Sequence, residues 1–126
     1  MVMEYTLLVK RSKDYYYVNA FDNNNNRIGK LGVYVDGKVA KIIYVITNLS
    51  ACGNGIATSM LNKTIEDFKG YELRLNVVPM PRVGESINHR TVSGLVAFYK
   101  KFGFERTDDP CLPTMIRKAS LPTLGE

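Results

Sequence analysis

The hydrophobic period first changes at residue 52, from strand-like to helical, and that change constrains the fold more than any other feature of the chain. Before it the chain alternates as strands do. Residues 4–10 place Tyr5, Leu7 and Val9 on one face, and residues 14–21 are aromatic and β-branched, as suits a pleated surface. The tract from Asn23 to Asn26 tolerates left-handed backbone and reads as a loop tip. Residues 27–35 form a third strand, Asp36-Gly37 supplies a hairpin turn, and residues 38–48 return as a fourth strand. The continuous apolar run from Ile42 to Ile46 predicts a strand covered on both faces.

From residue 52 the pattern is helical. Ala57, Leu61, Ile65 and Phe68 fall on one stripe with Met60 beside them, and Gly70 fits the position just past a helix end. A fifth strand is expected at 71–78 and a proline-rich loop at 79–90. A second helix at 91–102 lines up Val92, Leu95, Val96, Tyr99 and Phe102, with Gly103 stopping it. Strands at 104–106 and 114–118 follow. The expected fold class is therefore α/β in the α+β sense. It is a mixed, mostly antiparallel sheet of six to seven strands with two main helices, in one domain over 1–118 with a loose tail at 119–126.

Composition narrows the function. The chain has 126 residues, enough for one core without staples. Cys52 and Cys111 make no disulfide framework, and no basic, cleavable apolar leader opens the sequence, so a reducing cytoplasm is the expected setting. No run approaches the roughly 20 apolar residues that span a bilayer. With one histidine, His89, and no CxxC pair, no metal is expected. The net charge of +5 suits an anionic ligand, but its lysines and arginines come as scattered singles and pairs, so nucleic acid is not the expected partner.

The segment that carries chemistry is Cys52-Gly53-Asn54-Gly55-Ile56-Ala57, between a strand and a helix. The glycines allow a tight bend and keep side chains away from a ligand. The first amides of the helix lack intrahelical partners and carry the positive end of its dipole, which suits a phosphate or pyrophosphate. A P-loop is excluded because GxxxxGK[ST] is absent, and a dinucleotide fingerprint because its third glycine is missing.

Read together with Tyr99-Lys100-Lys101-Phe102-Gly103-Phe104, this segment resembles the GNAT superfamily of acetyl-CoA-dependent N-acetyltransferases. The family's cofactor motif, Q/R-x-x-G-x-G/A, is matched at Gly55 and Ala57, with Cys52 in place of the leading Gln or Arg. Its helix ending Tyr-x-x-x-Gly-Phe is matched from Tyr99 to Phe104. The element order agrees as well, over roughly residues 27 to 118.

The resemblance implies a set of roles. Acetyl-CoA would bind in the splay between the fourth and fifth strands. The strand end at Val45, Ile46 and Thr47 would pair with the pantetheine arm. The amides of Gly53, Asn54, Gly55, Ile56, Ala57 and Thr58, with Cys52 preceding them, would hold the pyrophosphate. Tyr99 would protonate the departing thiolate, and an amine would attack directly. A family glutamate on the fourth strand has no counterpart in residues 38–48, which leaves Glu85 and His89 as candidates for general base. The helical pair that the family places between its first two strands is missing too, because only Arg11, Ser12 and Lys13 separate the strand-like runs. An acceptor side left open suits a protein lysine or N-terminus, and equally a second subunit in a homodimer. A non-catalytic CoA-binding module and a basic nucleic-acid-associated protein are the alternatives.

Overall fold

The computed structural model describes residues 4–48, 54–77, 92–107 and 114–119. The strands are β1 (Tyr5–Arg11), β2 (Tyr15–Asp22), β3 (Arg27–Asp36), β4 (Val39–Thr47), β5 (Glu72–Asn76), β6 (Glu105–Arg106) and β7 (Thr114–Arg117). The helices are α1 (Ile56–Asp67), between β4 and β5, and α2 (Val92–Lys100), between β5 and β6. All seven strands form one sheet in the order β1-β2-β3-β4-β5-β7-β6. Only β4 and β5 pair in parallel; every other neighbouring pair is antiparallel.

The meander is built by short turns. Residues 12–14 join β1 to β2, the Ser12 N–H donating to the Tyr15 carbonyl at 2.9 Å, so no helix stands between the first two strands. At the asparagine tip, Asn25 is left-handed (φ 63°), and the Asp22 carboxylate accepts the backbone N–H groups of Asn24 and Asn26, each at 2.9 Å. The β3–β4 turn is one residue later than the Asp36-Gly37 reading. Asp36 pairs with Val39, so Gly37 and Lys38 are the central residues, with Gly37 at φ 61°. A glycine with positive φ at the first central position is the Gly-X form of the two-residue hairpin loop.

The core lies on one face of the sheet. Tyr16, Val18 and Ala20 of β2, Leu31 and Val33 of β3, and Ala40 and Ile42 of β4 are buried there. They cluster with Ile56, Met60 and Leu61 of α1 and with Phe68 at its C-terminal cap. The helix stripe is thus rotated from the one read in sequence: Ala57 and Ile65 are only half-buried, and Thr64 is fully buried because its hydroxyl donates back to the Met60 carbonyl at 2.9 Å. The Tyr16 phenol donates to Asp67, tying β2 to the end of α1; burial, and then the Asp67 carboxylate, push the phenol's pKa up.

Both crossovers, β4-α1-β5 and β5-α2-β6, step the same way across the sheet, and the right-handed sense of such connections puts both helices on one face. Burial agrees. Leu73, Leu75 and Met115 share the α1 face and are at most 2% exposed, whereas their alternates Arg74 and Asn76 are exposed. No described helix covers the opposite face of β1 to β4. The two-sided cover predicted for Ile42 to Ile46 is therefore corrected: Ile43 is 42% exposed, and Tyr44 and Ile46 are half-buried.

Candidate active site

β4 carries a bulge. Val33 pairs with Ile42 and Gly32 with Tyr44, which leaves Ile43 as an extra residue without a partner on β3. A bulge bends its strand and strengthens the local twist. The parallel ladder to β5 ends at the same point, at Ile42 opposite Leu75. Beyond it β4 continues for residues 43–47 while β5 stops at Asn76. The two strands thus part, and the β5-side edge of β4 runs on for about 17 Å with no described strand beside it.

The start of α1 is seated against the far end of this edge. Thr47 stands opposite Gly29 in the β3–β4 ladder. A Cβ on Gly29 would lie 3.0 Å from Cγ2 of Ile56 and 3.1 Å from Cε of Met60, so the first turn of α1 rests on bare backbone next to the end of β4. The Asn48 side chain donates to the Arg27 carbonyl at 3.0 Å and its backbone N–H to the Ile28 carbonyl at 2.9 Å, pinning the exit of β4.

Gly55 caps α1 in the left-handed conformation (φ 73°, ψ 16°). The cap makes no side-chain hydrogen bond and the first turn holds no acid. A Cβ at Gly55 would meet no described atom within 4 Å, so there is room for a side chain at the cap. Among the described residues, no side chain caps the positive helix end at Gly55 and its first turn holds no carboxylate to neutralise it. The side chain of Ile56 is 1% exposed and belongs to the core, while Ala57 is half-buried and Thr58 exposed. This arrangement fits a diphosphate held by backbone amides, and the bared edge of β4 fits an extended amide-bearing arm.

Val45 packs against the core and Thr47 is 9% exposed, both on the helix side, whereas Ile46 lies on the other face. Residues 45–47 and 54–58 are thus brought to one end of the sheet. Tyr99 lies in the last turn of α2, half-buried, its ring centroid 5.3 Å from that of Phe98 and 5.9 Å from that of Phe104. Its carbonyl accepts the Phe102 N–H at 2.9 Å, closing the helix. Cys52, Gly53, Glu85 and His89 fall outside the described residues. β4 itself carries no carboxylate from Val39 to Thr47.

Two features escaped the sequence reading. One is the bulge at Ile43, hidden within an unbroken apolar run. The other is Tyr44, whose ring lies on Gly32 so closely that a Cβ there would stand 2.6 Å from it. Burial is the main reason the Tyr44 pKa is raised, with Tyr17 adding to it and Arg27 opposing, so this phenol beside the splay holds its proton. The paired signal was a glycine on one strand and an aromatic on the next. Among the described residues no cluster of His, Cys, Asp or Glu could hold a metal, and no helix is long and apolar enough to cross a membrane.

Comparison with known proteins agrees with this geometry. The family described as Acetyltransferase (GNAT) family matches residues 3–104. Among solved structures, a PaiA N-acetyltransferase from Thermoplasma acidophilum in complex with coenzyme A is similar at TM-score 0.64 and 24% identity, over 83% of this chain and 61% of that one. The chain thus spans less than two-thirds of that relative's length. The ribosomal-protein-S18-alanine N-acetyltransferase from Escherichia coli gives TM-score 0.67 at 14% identity, covering 92% of this chain and 76% of that one. A GNAT family N-acetyltransferase from Escherichia coli in complex with CoA gives 0.65 at 12%, covering 93% and 82%. At these identities the likeness is one of fold. The search of curated proteins returned no match.

Proposed function

This chain belongs to the acetyltransferase (GNAT) family, and we propose that it transfers an acetyl group from acetyl-CoA to a primary amine by direct attack. The observation that carries the reading is the parting of β4 from β5 after Ile42 and Leu75, with the uncapped start of α1 at the end of the bared edge. Solved CoA complexes of the same fold support a CoA ligand.

In this reading the backbone of residues 43–47 takes the place of a strand partner for the pantetheine arm. The amides of residues 53–58 hold the pyrophosphate. The amine nitrogen forms its bond to the acetyl carbon as the carbon–sulfur bond breaks. Tyr99 gives its phenolic proton to the leaving thiolate. The amine sheds its extra proton to solvent, or to Glu85 or His89, and Tyr99 is reprotonated from solvent. The acceptor class is a protein lysine or N-terminus or a small amine, since no described helix walls off the sheet on the side away from α1 and α2.

A second reading is favoured by the lack of any carboxylate on β4: a module that binds CoA without catalysis. One experiment separates the two. Native mass spectrometry of the purified protein with acetyl-CoA reads binding, and thiol release over a panel of amines reads turnover. Binding with turnover supports the enzyme, binding alone supports the module, and failure of both removes the CoA reading.

A further inference from the structure

The face of the sheet turned away from the helices gathers what the sequence scatters. Register alone builds it. Tyr15 stands opposite Tyr34, which stands opposite Lys41; in the next row Lys10 stands opposite Tyr17. Tyr15 and Tyr17 stack at 6.0 Å with planes 5° apart, and Tyr15 and Tyr34 meet at 5.4 Å. Tyr15 and Tyr34 are each 40% exposed, Lys10 and Lys41 are exposed, and the Lys30 ammonium lies 5.3 Å from the Tyr44 ring. Among the described residues none of these three lysines is in an ion pair. By strand alternation the acid of β3 on this face is Asp36, at the hairpin end, and β1, β2 and β4 add none there.

We propose that this face of β1 to β4 docks single-stranded nucleic acid, its bases stacking on Tyr15, Tyr17 and Tyr34 and its phosphates meeting Lys10, Lys30 and Lys41. Three occupants compete, and chemistry chooses among them. A second copy of the chain laid on this face would set lysine against lysine. An acidic peptide would satisfy the lysines but bring no flat partner for exposed rings. A single strand supplies both, and each ring is a stacking platform tolerant of sequence. Same-face residues recur about 6.8 Å apart along a strand, and neighbouring strands lie about 4.8 Å apart, so the rings and ammonium groups form a continuous track. The surface lies on the same open face that the acetyl-transfer reading leaves to the acceptor, but it does not require that reading and is testable without CoA.

The test is fluorescence anisotropy of the whole protein with labelled oligo-U and oligo-dT of about 12 nucleotides. A duplex of the same length and a poly-glutamate peptide serve as comparators. The expected result is saturable binding of one or both single strands, near micromolar, with log affinity falling against log salt at a slope of about −2. Tyr15→Ala with Tyr34→Ala lowers the affinity about 10-fold or more, whereas the matching Phe variants retain it, because phenylalanine keeps the ring face. Lys10→Glu with Lys41→Glu removes most of the salt slope. Lys69→Glu, exposed beyond α1, changes little. A stronger response to oligo-U or to oligo-dT tells which polymer is preferred. No single-strand binding at low salt, equal affinity in the alanine variant, or preference for poly-glutamate or for duplex would each overturn the proposal.

Discussion

Gly29 and Ile56 set how closely α1 sits on the sheet: a Cβ on Gly29 would lie 3.0 Å from Ile56 Cγ2. Thr47 is the partner of Gly29 across the ladder, so the same contact sets how close the helix start stands to the end of β4. Gly29→Val is expected to destabilise the protein by about 1–3 kcal/mol through overpacking. CoA affinity should fall further than unfolding alone explains, because α1 must move. Chemical denaturation and calorimetric CoA titration check the two effects, and unchanged CoA affinity in a folded variant would contradict the seating of α1.

Gly55→Val tests the helix start itself. Any side chain at φ 73° costs about 1–2 kcal/mol, but the space around Gly55 is open, so the fold is expected to survive. What a side chain there obstructs is the approach to the amides. Circular dichroism should stay native-like while CoA binding drops at least 10-fold, a change worth about 1.4 kcal/mol. A native-like variant that binds CoA as wild type does would rule out this cradle.

Tyr99→Phe removes a phenolic proton and leaves the ring contacts with Phe98 and Phe104 in place. The expected outcome is a fall in kcat of about 100-fold with little change in the KM for acetyl-CoA. Steady-state kinetics on an amine that the wild type accepts decides it; equal kcat would remove Tyr99 as the acid.

Asp22 makes the asparagine tip pH-sensitive. Its carboxylate is held below the usual range, first by the backbone N–H of Asn26, then by that of Asn24 and the Asn26 side chain, with partial desolvation opposing. A lowered folded pKa means the contribution is present above the unfolded carboxyl value, near 4, and is lost as pH falls through the folded one. Thermal melts from about pH 6 downward should show wild type losing more stability than Asp22→Asn below about pH 4. Parallel curves would contradict the assignment.

Much of this was legible because local rules and the fold agree. The strand-to-helix switch, the left-handed asparagine tip and Gly70 and Gly103 past the helix ends are all in place, with φ 86° and 89° at the two glycines. The absence of a helix between β1 and β2 was countable from Arg11, Ser12 and Lys13, and the structure leaves only residues 12–14 between the two strands. Less legible was anything that depends on neighbours in space. The stripe of α1 is set by which residues meet the sheet, Ile56 and Met60 lying on Gly29, rather than by its own periodicity. The division of Tyr15, Tyr16 and Tyr17, with Tyr16 buried and the others on the far face, follows from strand parity once the pairing is known. Scattered lysines become one surface only when register aligns them.

Ile43 has a consequence for how this chain can vary. Upstream of it the even-numbered residues Ala40 and Ile42 face the helices; downstream the odd-numbered Val45 and Thr47 do. The strand therefore changes phase midway, like a weave that skips one thread. Were Ile43 kept but paired as an ordinary strand residue, the wrong side of the cloth would show from Tyr44 onward, turning Tyr44 and Ile46 inward and Val45 and Thr47 outward. Removing Ile43 altogether would leave every later side chain on its present face and take away the bend instead, so what this residue supplies is the course of the strand and not the facing of its neighbours.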